Sequence, residues 1–287
     1  MWIVLSVQAA FFSGISMILQ KNGTKGEKLL QTSALNNTAI LIVALVAVLA
    51  SGSYVELAEM PARSWGLVVT SGFTQAASWV TFFAGLKYAD VNVYMALDKV
   101  NIIVTMLLAW LLLGDVITLP MLKGTVLIVI GTVAMTEIQN RGIGSNREGR
   151  YWLFFGIVSP ALQAITNILA KLDTAPISTD LTTAIRVLIV VLVLWILSLV
   201  KYGLPSRGFV QESGGIWLLS GGAMIGISYL FMYRAISLGN AAVVTTIVKA
   251  SFLISIALAC SFLHERLSRR GWIGFAAVCL GTGLFAI

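Results

Sequence analysis

Charge is scarce in this chain of 287 residues: Asp, Glu, Lys and Arg together make up 11% of it. A soluble domain of this length carries roughly 25%. Hydrophobic residues reach 58% and the mean hydropathy is +0.93, so there is too little polar surface to face water. Most side chains must meet lipid or other buried helices, which makes this an integral membrane protein. Histidine occurs once and cysteine twice. Cys260 and Cys279 stand in apolar runs without metal-ligand or redox spacing, and are expected as small packing residues. His264, in a basic connector, is expected to be solvated. There is no HExxH, GxSxG, CxxC or Asp-rich motif, so the sequence offers none of the clusters from which an enzyme site is built. No catalysis and no cofactor are expected.

The net charge of +7 does not signal nucleic acid. The basic residues fall in short connectors between apolar runs, as topology signals do, and no basic cluster is interleaved with aromatics. The N-terminal stretch MWIVLSVQAAFFSGISMILQ lacks the basic region of a cleaved signal peptide and reads as a first span.

A membrane-spanning helix needs about 20 mostly apolar residues. Ten segments qualify: 1–20, 32–51, 65–86, 92–113, 118–137, 151–170, 180–200, 214–236, 240–263 and 271–287. The strongly polar interior run 138–150 divides the chain into a first five-helix repeat, 1–137, and a second, 151–287. At an offset of 150 the halves align without a gap. Trp2 meets Trp152, Lys21 meets Lys171, Ala34 meets Ala184, Gly72 meets Gly222, Ser78 meets Ser228 and Lys99 meets Lys249. Gly124 meets Gly274, Gly131-Thr132 meets Gly281-Thr282, and Asp115 meets Glu265. A repeat with an odd number of spans must cross the membrane in the opposite sense the second time. The expected fold is therefore all-α, with ten transmembrane helices in two inverted repeats, an architecture of many secondary transporters.

Several motifs then bear a resemblance. The hairpin GLKYADVNVY is matched by AISLGNAAVV, acids follow the fourth and ninth spans in LLLGDVIT and SFLHERLS, and the fifth and tenth spans are Gly-rich. With the five-plus-five inverted repeat, the chain resembles the drug/metabolite transporter superfamily, and its EamA-like domain in particular, over essentially its whole length. The chain departs from that family in having DKVN and VKAS near where a Pro usually falls in spans four and nine, and Asp115 where Glu is usual. The resemblance implies that spans four and nine belong to the central bundle around a cavity. It also implies that intramembrane Lys or Arg can hold a phosphate, as in nucleotide-sugar and triose-phosphate transporters.

The connectors on one side carry twelve Lys and Arg, and those on the other carry three: Arg63, Lys171 and Arg234. The positive-inside rule then puts both termini outside, most simply in a bacterial inner membrane. The resemblance implies the opposite orientation.

Charges inside the spans are costly, about 2.5–3.5 kcal/mol each on insertion scales, and by default mark function. Asp98, Lys99 and Lys249 are such residues. Asp98 shares a helix face with Tyr94, Asn101 and Thr105; it points about 100° from Lys99 and is better placed to reach Lys249. Two readings stay open: a packing charge pair, or a substrate site in which a surplus cation awaits an anion. Other candidate lining residues are Ser71, Gln75, Ser78, Trp79 and Phe82 in span three; Gln163 and Asn167 in span six, beside Pro160; and Gly222, Gly226, Tyr229 and Tyr233 in span eight. Arg186, in span seven, is either a second anion contact or a partner of Asp180 or Asp173. The paired glycines 124/131 and 274/281 suit close helix packing within the chain or in a homodimer.

The expected function is alternating-access transport of a small anionic metabolite: a phosphorylated compound, nucleotide conjugate, or organic or amino acid. A coupling ion or counter-substrate is compatible, and Asp98 is the candidate for proton coupling. The rivals are an exporter of cationic amines using Asp98 and a flippase of a lipid-linked sugar or phosphate.

Overall fold

The structure is a computed structural model, and it describes residues 1–23, 29–85, 99–135, 151–173, 177–205, 214–262 and 269–285. Among these there are helices and no strands. The helices are α1 (Trp2–Gly23), α2 (Leu29–Ser51), α3 (Ala62–Gly85), α4 (Val100–Leu108, extended by a π turn Ala109–Leu113), α5 (Leu119–Met135), α6 (Tyr151–Leu172), α7 (Thr179–Tyr202), α8 (Gly215–Leu238), α9 (Ala241–Lys249), α10 (Ser251–Phe262) and α11 (Arg269–Phe285). Six apolar stretches are long enough to cross a membrane, with shorter apolar helices at Val100–Leu113, Leu119–Ala134 and Arg270–Phe285. Asp98, Tyr94, Glu265, His264 and the polar run 138–150 lie outside the described residues.

The two halves interdigitate. The most extensive contacts join α1 to α8, α5 to α11, α3 to α6, α2 to α8, α2 to α7 and α3 to α7, all between repeats. Shifting each helix by 150 residues maps α1–α8 onto α6–α3, α2–α8 onto α7–α3, and the α1 contacts with α9 and α10 onto α6–α4. Side chains repeat the pattern. Ser78 donates to the Ser159 carbonyl at 2.9 Å, and Ser228 donates to the Ala9 carbonyl at 2.7 Å. Without a hydrophobic drive between helices in lipid, close approach and interhelical hydrogen bonds hold such a bundle.

The duplicated glycines supply that approach inside the chain. A Cβ on Gly124 would lie 2.6 Å from the Gly281 carbonyl, one on Gly281 would lie 2.7 Å from the Gly124 carbonyl, and one on Gly131 would lie 2.7 Å from that of Gly274. Gly222, expected to line a cavity, instead seats α8 on α2, where a Cβ would be 2.4 Å from the Asn36 carbonyl. Gly226 packs in the same way against Val43. Cys279 is exposed rather than packed, a correction to its sequence reading: its position on α11 turns away from α5.

The ninth span is interrupted at Ala250, without a proline. The Leu253 amide bonds to the Ala250 carbonyl at 2.9 Å, a tightened three-residue turn. The Lys249 carbonyl accepts instead from the Lys99 ammonium at 3.0 Å, so a side chain from span four takes a place in the ladder of span nine. Insertion of a side chain is a recognised cause of such breaks.

Candidate functional site

A polar seam runs through the middle of the bundle. On α3, Ser71, Thr74, Gln75 and Ser78 line one side of the helix. Thr74 pairs with Thr166 at 2.8 Å and Ser78 with Ser159, which fixes the antiparallel register of α3 and α6. On α6, Gln163 donates to Asn167 at 3.4 Å, and Asn167 donates to Thr245 of α9 at 3.3 Å. Thr245 lies one turn before Lys249. Asn101 of α4 donates to the Pro160 carbonyl at 2.9 Å, so the helical proline is an anchor point for α4.

Arg186 enters this seam from α7. It is 2% exposed, its Nε donates to Ser71 Oγ at 2.8 Å, and its guanidinium lies 4.1 Å over the centre of the Tyr233 ring. Tyr229 meets Tyr233 edge-on at 5.8 Å. Neither proposed carboxylate is its partner. Asp180, nearer the helix start, is bound by Arg234 through Nε at 3.1 Å and through Nη2, and Asp173 accepts from Ser64 at 2.7 Å. Among the described residues no carboxylate pairs with Arg186, and its buried Nη1 has no hydrogen-bond partner. Arginine stays charged even when buried. Leaving it without an anion is costly unless another group completes the site.

The lysines are placed differently. Lys99 is 5% exposed; its ammonium donates to the Lys249 carbonyl and lies 4.2 Å from the Phe252 ring centre. Lys249 is half-buried. Trp79 turns from the seam into an apolar cluster with Ala34, Ala76, Val190 and Leu194. Of the sequence candidates, Arg186 meets Tyr233, which meets Tyr229, and Gln163 meets Asn167; Gln75 and Asn101 are buried on α3 and α4, while Tyr94 and Asp98 lie outside the described residues. Sequence reasoning missed Ser71 as the residue that orients Arg186; its one-turn spacing from Gln75 was the available signal.

The end of the bundle that carries the termini is laced by polar links. They are Asp180–Arg234, Ser64–Asp173, the Ser178 amide to Glu56, Asn240 to Asp115 at 2.9 Å, and Lys171 to the Ser237 and Gly239 carbonyls. Beside Asp180–Arg234, a cleft of about 380 Å³ opens between α2, α7 and α8, lined by Ala47, Ala50, Ile227, Leu230 and Phe231. It is separate from the buried seam, since neither Arg186 nor Gln75 lines it.

The model of the EamA-like transporter family matches twice, over residues 1–136 and 150–287. The chain belongs to the EamA-like transporter family. One relative, an uncharacterised transporter encoded in the cobO 3' region of a Sinorhizobium species, is 29% identical over 136 residues, covering 47% of this chain and 96% of its own. A solved crystal structure superposes with a TM-score of 0.81 at 16% identity, covering 98% of this chain and 94% of that one, and shows the shared fold. This EamA-like chain is a multi-pass membrane transporter.

Proposed function

We propose that this transporter moves a small anionic metabolite by alternating access, with Arg186 as its principal anion contact. The observation that carries this reading is the buried guanidinium of Arg186, held by Ser71 and Tyr233 but paired with no described carboxylate. A buried cation in a membrane bundle marks a substrate or ion path by default. A carboxylate or phosphate completes it with paired, charge-assisted hydrogen bonds. Gln163 and Asn167, which bond to one another and to Thr245 one turn before Lys249, extend the site on α6 and α9. Lys99 donates to the Lys249 carbonyl and supports the break in span nine. The polar links at the end carrying the termini close that entrance, so substrate exchange requires them to part. The Lys and Arg bias supports a cytoplasmic position for the opposite end.

The test is a thermal-shift series on detergent-purified protein with citrate, glutamate, glucose 6-phosphate, cationic amines and neutral sugars, repeated on Arg186→Gln. Stabilisation by anions that vanishes in the variant is the expected result. Stabilisation by amines that persists in the variant overturns it.

One observation favours a second reading, a flippase of lipid-linked anions. The cleft between α2, α7 and α8 is lined by the apolar Ala47, Ala50, Ile227, Leu230 and Phe231 together with Ser51, Asp180 and the half-exposed Arg234. On that reading Arg234→Gln, rather than Arg186→Gln, removes ligand stabilisation.

A further inference from the structure

Gln75 is a second buried polar residue of the seam. It is fully buried, and among the described residues neither its Oε1 nor its Nε2 has a partner. A buried amide left wholly unpaired loses the hydrogen bonds that water gave it and gains none. Its neighbours on α3 make the contrast: Ser71, Thr74 and Ser78 each bond to a facing helix. The register set by Thr74–Thr166 and Ser78–Ser159 puts Gln75 level with Gln163, one helical turn along α3 from the Ser71 that Arg186 bonds. Its mirrored position on α8 is Ile225, so the fold itself does not require an amide there.

Resting on the anion reading of Arg186, we infer that Gln75 determines specificity by reading a planar donor–acceptor edge on the substrate, beside its anionic group. A primary amide, a lactam or a pyrimidine-like ring presents such an edge, and the carboxamide of a glutamine pairs with it through two parallel hydrogen bonds. The substrate class is thus a carboxylate or phosphate carrying an amide-like edge, rather than a plain organic anion. In the closed arrangement the amide touches neither partner nor solvent, so the pairing forms as the site opens and substrate enters. A site built to hydrogen-bond a group discriminates strongly against the analogue that lacks it, because its own polar atoms are then stranded.

The experiment measures binding of two matched pairs, succinamate against 4-methylpentanoate and orotate against benzoate, to the wild type and to Gln75→Leu. Each pair keeps the carboxylate and approximate shape and removes the donor–acceptor edge. The wild type is expected to prefer the edged member by about tenfold or more, and Gln75→Leu to lose that preference while still binding the plain carboxylate. If Gln75→Leu does not fold, Gln75→Met keeps the length of the side chain and makes the same comparison. Equal wild-type affinity for both members of each pair overturns the inference and leaves the anion reading standing, as does a preference that survives in the variant. Failure of the wild type to bind any of the four removes both.

Discussion

The two repeats are alike where helices touch and unlike where chemistry is displayed. Ser78 and Ser228 make the same hydrogen bond to the facing helix. The glycine pairs 124/281 and 131/274 make the same close crossing. In contrast, Arg186 mirrors Asn36, Gln75 mirrors Ile225, Gln163 mirrors Ser13 and Asn167 mirrors Met17. What packing demands has been kept twice, and the residues of the proposed site occur once. Of the matched lysines, Lys99 falls on the packing side of this division, because its ammonium holds the carbonyl exposed by the break in span nine. The unmatched arginine falls on the other.

The largest effect should come from disturbing a duplicated contact where backbone, rather than side chain, is in the way. Gly222→Ala would put a carbon 2.4 Å from the Asn36 carbonyl and 2.8 Å from the Ala39 Cβ. Helices α2 and α8 would have to separate, at a cost of about 3 kcal/mol, the upper part of the range for overpacking. Its mirror, Gly72→Ala, meets only the Ile189 side chain, at 2.9 Å. That substitution should cost about half as much, offset in part by the better helix propensity of alanine. Melting temperatures of the two variants in detergent decide it, and equal losses would mean that the two crossings are not packed differently.

The lysine pair comes next. Lys99→Met leaves the Lys249 carbonyl without its donor, which costs about 1–3 kcal/mol for a buried group. Lys249→Met keeps that hydrogen bond, since it is the main-chain oxygen of residue 249 that accepts it. The expected order is a larger drop in melting temperature for Lys99→Met, with anion stabilisation retained. If Lys99→Met instead keeps its stability and loses the anion response, Lys99 belongs to the site beside Lys249 and the division between packing and chemistry fails.

How far the sequence led follows the same division. Composition and the offset of 150 were enough for the helices, the inverted repeat and the close approach at glycines 124/281 and 131/274, because lipid leaves few ways to satisfy a backbone and small residues mark close approach. They were not enough for Gly222 and Gly226. The break at Ala250 was not legible, since no proline or glycine stands there; it depends on a lysine from another helix. Arg186 was legible as an intramembrane charge, but its neighbours were not. Asp180 lies nearby in sequence, yet it faces α8 and binds Arg234, and only the rotation of α7 against α3 and α8 shows that Ser71 and Tyr233 surround the guanidinium.

The smallest effect on stability should come from the residue that matters most for ligand response. Arg186→Met removes one hydrogen bond to Ser71 and a contact with the Tyr233 ring, each worth about 0.5–2 kcal/mol. It also removes a buried charge and an unpaired Nη1, whose desolvation works against folding, and apolar replacements of such groups are often neutral or stabilising. These terms oppose each other, so the melting temperature should move by no more than the equivalent of about 1 kcal/mol, while stabilisation by anions disappears. A large fall in melting temperature would show instead that Arg186 is a packing residue and that the asymmetry of the seam is structural. A residue that can be removed from the centre of a tight bundle at little cost to the bundle is kept there by something the bundle binds.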